Sequence, residues 1–364
     1  VSSGKYSDSN TTFFRYTLII PPWINKFYIL DMREKNSLIK WSVDQGHTVF
    51  IISWRNGDAA LRDRDFGDYM KEGVLTALEA IENHTGETAV NAVGYCIGGT
   101  LLACTLAVLQ AKDQAHRIAS ATYFVTLVDF SEAGDLGVFI DEEQISQIEE
   151  RMTDNGGYLD AQSMHTTFNY LRPNDLIWSF VINNYLLGKE PFPFDLLYWN
   201  ADSTCLPQAM HSYYLRNMYL NNLLIKPNAL QMNGVKLDLR TIKTPTFFLS
   251  TIEDHIAPWK STYTATQIYS GPKEFVLSGS GHIAGVINPP AAEKYNYMTN
   301  PELPADPDKW LAGAKRTEGS WWPHWHQWLS KFSDKQIPAR DPAAGKLKIQ
   351  GDAPGEYVKV RSLG

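Results

Sequence analysis

The sequence predicts an α/β protein with a mostly parallel, doubly wound sheet and one large insertion. Three observations carry this reading. Short β-rich apolar runs alternate with helix-length amphipathic segments, the order expected of parallel strands joined by right-handed crossovers. One strand ends in a glycine-flanked cysteine and passes directly into an apolar helix. The alternation then stops after Phe130 and resumes at Ile242, leaving residues 131–241 as an insert far longer than a crossover needs.

Taken in chain order, the opening VSSGKYSDSNT is small and polar, so residues 1–12 read as a disordered end or linker. TLII (17–20), TVFIIS (48–53), NAVGY (91–95) and ATYFVTLV (121–128) are apolar enough to be strands covered on both faces. Between them, NSLIKWSVDQG (36–46) places Leu38, Trp41 and Val43 at helical positions with Gly46 as a stop, and residues 63–86 repeat apolar side chains at helical spacing. Inside the insert, Ile145, Ile148 and Met152 make one narrow helical stripe, and residues 169–188, 191–200 and 211–224 are dense in Tyr, Trp, Phe and Leu. An aromatic insert of this kind reads as a cap, or lid, over the sheet, the plainer alternative being a second structural lobe. Its acidic start, near 131–165, is expected to be poorly ordered or to alternate between open and closed states. The core then resumes with a strand at 242–251, a helix at 260–269 and a strand at 273–278. The expected organisation is a core of 13–130 and 242–335, a cap of 131–241 and a polar, Pro-rich C-terminal tail of 336–364.

Composition narrows the function. With 33 Lys+Arg against 40 Asp+Glu, the chain carries −7 at pH 7, too acidic for a nucleic-acid binder. Hydrophobic residues at 44% and charged residues at 20% exclude general disorder. Three cysteines, none in a CxxC or Cys/His cluster, imply no disulfide framework, no metal site and a reducing cytosol. The apolar run LLACTLAVL (101–109) is well short of the ~20 residues of a membrane span, so no transmembrane segment is expected. The 12% aromatic content is either a large core or an apolar binding surface: the Trp cluster at 321–328 is expected in the core, while Phe168, Tyr170, Trp178, Phe180, Tyr185, Tyr198, Trp199, Tyr213, Tyr214 and Tyr219, in the insert, are expected to line an apolar passage for acyl chains.

The chemistry centres on GYCIGG (94–99), between the strand NAVGY and the helix TLLACTLAVL. A G-x-C-x-G turn of this type holds a nucleophile above the sheet, with Gly94 and Gly98 avoiding collisions. The helix behind it favours a thiolate and offers the Ile97 N–H to an oxyanion. Alone, the motif could equally be a buried structural cysteine between two chance glycines. A thiol nucleophile needs a base and an orienting acid, and Asp254 and His282 each follow a predicted strand in the order acid, then histidine. Cys96, Asp254 and His282 are therefore the expected triad, with Cys104 and Cys205 structural. His255 is a candidate binding residue, and the loop PPWINKFYILD (21–31) is placed to supply a second oxyanion donor, from Trp23 or Ile24.

GYCIGGT (94–100), PPWINKFYILD (21–31), GHTVFIISWRN (46–56), LRPNDLIW (171–178), PFDLLYWN (193–200), EDHIAPW (253–259), GHIAGVINPP (281–290) and GSWWP (319–323) together resemble the catalytic domain of class I polyhydroxyalkanoate synthases, from about Phe13 to Val360. The resemblance implies an α/β-hydrolase core with a mobile cap. It also implies polymerisation of (R)-3-hydroxyacyl-CoA, 3-hydroxybutyryl-CoA above all, into polyester with release of CoA. By matching position, Cys96 is the nucleophile, Asp254 the acid and His282 the base; no cofactor is implied, coenzyme A being part of the substrate. A homodimer formed through the cap and a cytoplasmic location on polyester granules are further implications. Family members carry an additional N-terminal domain, expected to be absent here. Substrate contacts are expected from Trp23, His255, Arg216 and Tyr214, with Arg172 and Lys260 as further cations for CoA. Two other readings stay open: a thiol-dependent esterase or depolymerase using water, and a non-catalytic granule-binding scaffold.

Overall fold

The computed structural model describes residues 11–171, 178, 181–190, 195–333 and 335–361. Eight strands form the central sheet: β1 (Thr17–Ile20), β2 (Val49–Ile51), β3 (Val90–Tyr95), β4 (Ile118–Phe124), β5 (Thr246–Thr251), β6 (Lys273–Ser278), β7 (Asn296–Thr299) and β8 (Lys315–Glu318). Their spatial order is β8-β7-β6-β5-β4-β3-β1-β2. The six strands β6 to β2 run parallel, while β7 and β8 close one edge as antiparallel strands.

The apolar runs alternate sides, as the pleat requires. Leu18, Ala92, Tyr123, Phe248 and Phe275 enter one core, while Ile19, Val93, Phe124, Phe247 and Val276 enter the other. Helix α1 (Leu38–Asp44) covers the second face, and α2 (Thr76–Thr85) and α3 (Ile97–Ala111) cover the first. Every residue of α3 from Ile97 to Leu109 is buried, so its unbroken apolar sequence is the signature of a central helix. After β4 the chain leaves the sheet sooner than the run ATYFVTLV suggests, turning at Val125 with φ +43°.

The tryptophan cluster is core, as expected. Trp321, Trp322 and Trp325 are fully buried on and beside the helix Trp322–Ser330. Their indole N–H groups also hold the interior together: Trp321 donates to the Gly285 carbonyl at 2.9 Å, Trp322 to Val286 at 2.9 Å and Trp325 to Thr122 at 3.1 Å.

Several expectations are corrected. The strand Thr11–Phe13 pairs antiparallel with Gln336–Pro338, so the chain is already tied into structure at Thr11, while residues 1–10 lie outside the described residues. The tail is not simply polar, because Val358 is buried and docks on the core. The helix expected over 260–269 is two short ones, Trp259–Tyr263 and Ala265–Ile268. Strand β7 is half-exposed and the edge strand β8 mostly exposed, and their polar sequences carry no apolar run.

Between β4 and β5 the chain forms the helices Glu142–Asp154, Ala161–Leu171, Asp195–Ala201 and Gln208–Tyr214, the last continuing as a π-turn over Leu215–Leu220. Glu142–Asp154 is a packed helix within the segment expected to be loose. Ile145 and Met152 are fully buried, and the Arg216 guanidinium grips Glu149 in a fork, at 3.0 and 2.8 Å, and also Glu142. The aromatic residues of the insert divide: Trp199 and Tyr214 are buried, whereas Trp178, Tyr185 and Tyr198 face solvent rather than lining a passage. Phe180 and Arg172, and the side chains of Phe168 and Tyr170, lie outside the described residues. Among the described residues no helix is long and apolar enough to cross a membrane.

Candidate active site

Cys96 sits between the last residue of β3 and the first of α3 with φ +53° and ψ −126°, a strained backbone for a residue with a side chain. The turn is possible because its neighbours are glycines. A Cβ on Gly94 would lie 2.4 Å from the Gly99 Cα, and one on Gly98 would lie 2.2 Å from the Ile20 carbonyl oxygen. Gly99 is equally constrained, since its Cβ would fall 2.0 Å from the Thr126 hydroxyl. The sequence reading named the first two; the GG doublet was the available signal for the third. The Cys96 N–H donates to the Phe124 carbonyl at 2.9 Å, which pins the elbow to β4. Ile97, the first residue of α3, has an N–H without an acceptor inside the helix.

Asp254 and His282 sit on the turns after β5 and β6, where the order of the chain places them. His282 Nδ1 and Asp254 Oδ2 are 2.7 Å apart, and both side chains are nearly or fully buried. The carboxylate is fixed by three donors: the Ile256 and Ala257 N–H groups reach Oδ1 at 2.9 and 2.8 Å, and the Thr251 hydroxyl approaches Oδ2 at 3.4 Å. Tyr95 stacks obliquely on the His282 ring and donates to its backbone carbonyl at 3.2 Å. With Asp254 on Nδ1, Nε2 is the nitrogen left for the thiol. Burial opposes charging His282, yet the Asp254 carboxylate and then the Cys96 sulfur, which also hydrogen-bonds it, outweigh burial and raise its pKa to about 10. Asp254 and His282 are thus joined by a hydrogen bond, with Cys96 near enough to favour the charged imidazole.

Two tyrosines of the insert stand close enough to feel the same sulfur. The Tyr214 and Tyr219 rings meet edge to face at 5.2 Å. Burial above all, with the Cys96 charge adding to it, pushes both phenols well above the ordinary range. Tyr214 was a candidate from sequence. Tyr219 was one of the insert aromatics expected to line a passage, but nothing in its local sequence singled it out as a neighbour of the sulfur.

The remaining candidates fare differently. Trp23 is a core side chain packed among Trp54, Phe66 and Tyr69, with its indole on Met210. Ile24 is half-buried in the loop that meets the elbow at Gly98. Arg216 spends its charge on Glu149 and Glu142. Lys260 pairs with Asp308 at 2.7 Å. His255 is half-buried directly after Asp254, its carbonyl accepting from the Asp135 N–H. Cys104 is fully buried within α3, and burial pushes its thiol up, as befits a structural thiol.

Residues 30–289 match the family profile described as alpha/beta hydrolase fold. The chain belongs to that family. In this α/β hydrolase, residues 5–42 also match a profile described as the N-terminus of poly-beta-hydroxybutyrate polymerase (PhaC). The chain is 52% identical to a poly(3-hydroxyalkanoate) polymerase of Methylorubrum extorquens, over 97% of this chain and 58% of that protein. It is 51% identical to the poly(3-hydroxyalkanoate) polymerase subunit PhaC of Rhizobium meliloti (strain 1021), over 98% of this chain and 58% of the relative. Against the corresponding subunit of Cupriavidus necator the identity is 42%, over 96% and 60%. The chain therefore resembles these polymerases along nearly its whole length while spanning less than two thirds of theirs.

Proposed function

We propose that this chain is the catalytic part of a polyhydroxyalkanoate polymerase, joining (R)-3-hydroxyacyl units from coenzyme A thioesters into polyester. The observation that carries the reading is a cysteine, rather than a serine, on the elbow of an α/β hydrolase, coupled to the Asp254–His282 pair. Similarity to proteins named poly(3-hydroxyalkanoate) polymerase supports the substrate.

In this reading the Cys96 thiolate attacks the acyl carbonyl of the thioester. The acyl–sulfur bond to coenzyme A breaks as the bond to Cys96 forms, and His282 returns a proton to the departing CoA thiolate. Exchange of one thioester for another is close to thermoneutral, so the acyl group stays activated. Next, His282 takes the proton from the 3-hydroxyl of a second acyl unit. That oxygen attacks the acyl-cysteine, an ester forms, and the Cys96 thiolate is regenerated. Asp254 holds the imidazole orientation and stabilises its cationic form, while the N–H groups of Ile97 and Ile24 receive the negative oxygen of each tetrahedral intermediate. Residues 131–241 act as a cap whose aromatic side chains keep water from the acyl-cysteine. Dimer formation through that cap, and a cytoplasmic location on polyester granules, belong to the same proposal.

Purified chain is expected to release CoA from (R)-3-hydroxybutyryl-CoA and to deposit polyester, and Cys96→Ala to abolish both. Polymer formation by that variant would refute the reading, and free 3-hydroxybutyrate as the only product would identify a hydrolase instead.

A further inference from the structure

The loop carrying Ile24 is held from one side by the insert. Directly after the helix Asp195–Ala201, residues 202–204 lie against residues 23–28. The Thr204 hydroxyl is buried and stands 2.7 Å from both the Trp23 and the Ile24 carbonyl oxygens. Asn25 forms an antiparallel bridge with Ser203, and the Trp199 indole donates to the Lys26 carbonyl at 2.8 Å. Lys26 itself is buried and bonded to Asp202 at 2.7 Å.

In a trans peptide the carbonyl and the N–H of one plane point in opposite directions. The Thr204 hydroxyl has one proton to share between the Trp23 and Ile24 carbonyls; the Trp23–Ile24 peptide is trans, so through the Trp23 carbonyl it also constrains the Ile24 N–H, aimed away from Thr204. The same loop begins in contact with the elbow, since Gly98 of α3 lies against the Ile20 and Pro21 carbonyls. We infer that Thr204 is a positioning residue for acyl transfer. From the insert, its hydroxyl orients the Ile24 N–H toward the oxygen that develops negative charge beside Cys96. The inference rests on the reading of Cys96 as nucleophile and adds to it that part of the oxyanion site is set by the cap segment rather than by the sheet.

A hydroxyl on a carbonyl can equally be a plain structural staple, and the test separates the two. Acylation of the whole chain by p-nitrophenyl butyrate, which needs no CoA site, is followed by stopped flow as the burst of nitrophenolate. Thr204→Val keeps shape and removes the O–H, whereas Thr204→Ser keeps the O–H. The expected result is an acylation rate lowered by about 10- to 100-fold in Thr204→Val, somewhat less than direct loss of an oxyanion donor. Half-saturation should be unchanged, the rate of Cys96 alkylation by iodoacetamide unchanged, and Thr204→Ser close to wild type. An unaltered burst in Thr204→Val, an equal loss in Thr204→Ser, or a parallel loss of alkylation would overturn the inference. A wild-type burst that persists in Cys96→Ala, or no wild-type burst at all, would overturn the nucleophile reading and this inference with it. A normal Cys96-dependent burst without CoA release would instead count against the polymerase reading alone.

Discussion

Asp202 offers a sharp test of how the insert is attached. Its carboxylate is 4% exposed and faces the Lys26 ammonium, 6% exposed, at 2.7 Å, with the Tyr28 hydroxyl donating to its other oxygen at 2.8 Å. The same ammonium donates to the Val358 and Val360 carbonyls at 2.9 and 2.8 Å, so one buried charge pair joins the loop after β1, the insert and the C-terminal segment. Asp202→Ala leaves a buried ammonium with carbonyl partners only, and breaking a buried pair from one side costs about 3–5 kcal/mol. At about 2.1 cal/mol/K per residue, a chain of 364 residues has an unfolding entropy near ~0.76 kcal/mol/K, so Tm should fall by about 4–7 °C. Lys26→Met combined with Asp202→Leu removes both charges and should recover most of the loss, because an apolar pair of similar volume replaces a desolvated ionic one. Urea unfolding and calorimetry of wild type, Lys26→Met, Asp202→Leu and the double variant give the coupling energy directly. A loss below about 1 kcal/mol in Asp202→Ala, or strictly additive effects in the double variant, would refute the reasoning.

The pH dependence of stability follows from His282, whose pKa rises from 6.5 to about 10 in the folded chain. The folded state then binds the proton more tightly than the unfolded one. This stabilisation is fully present below about pH 6.5 and is lost as pH rises toward 10, at up to about 1.4 kcal/mol per pH unit. His282→Gln should lack that slope between pH 7 and 10 in urea titrations, and parallel curves for the two proteins would contradict the assignment. At the elbow, Gly99→Ala should destabilise by about 1–3 kcal/mol through overpacking against Thr126, with Thr126→Ala restoring part of it; equal loss with and without Thr126→Ala would show that the collision is not the cause.

Much of the site was legible in the chain because its signals are local. The glycines around Cys96 announce a turn that side chains cannot make, and the structure bears this out at 94, 98 and 99 alike. Asp254 and His282 were found by position, since in a parallel sheet each strand's C-terminal turn opens on the same edge. The tryptophans of 321–328 were recognisable as core by composition. The pairing of Arg216 was not legible for the complementary reason: a lone arginine in sequence does not reveal that two glutamates from another helix hold it. Nor does the sequence reveal that the Trp23 ring turns into the core.

By itself, then, the sequence determined the alternating α/β order, the glycine-flanked cysteine turn and the placing of Asp254 and His282 on neighbouring strand ends, since periodicity, glycine sterics and strand ends are properties of neighbours along the chain. Only the tertiary structure decided what braces that site. Tyr219 beside the sulfur, Thr204 on the loop carbonyls, the Lys26–Asp202 pair under the insert and the C-terminal segment docked on Lys26 all join residues far apart in sequence. Such contacts depend on which polar groups burial leaves in need of a partner, and burial exists only once the sheet, the insert and the tail have closed on one another.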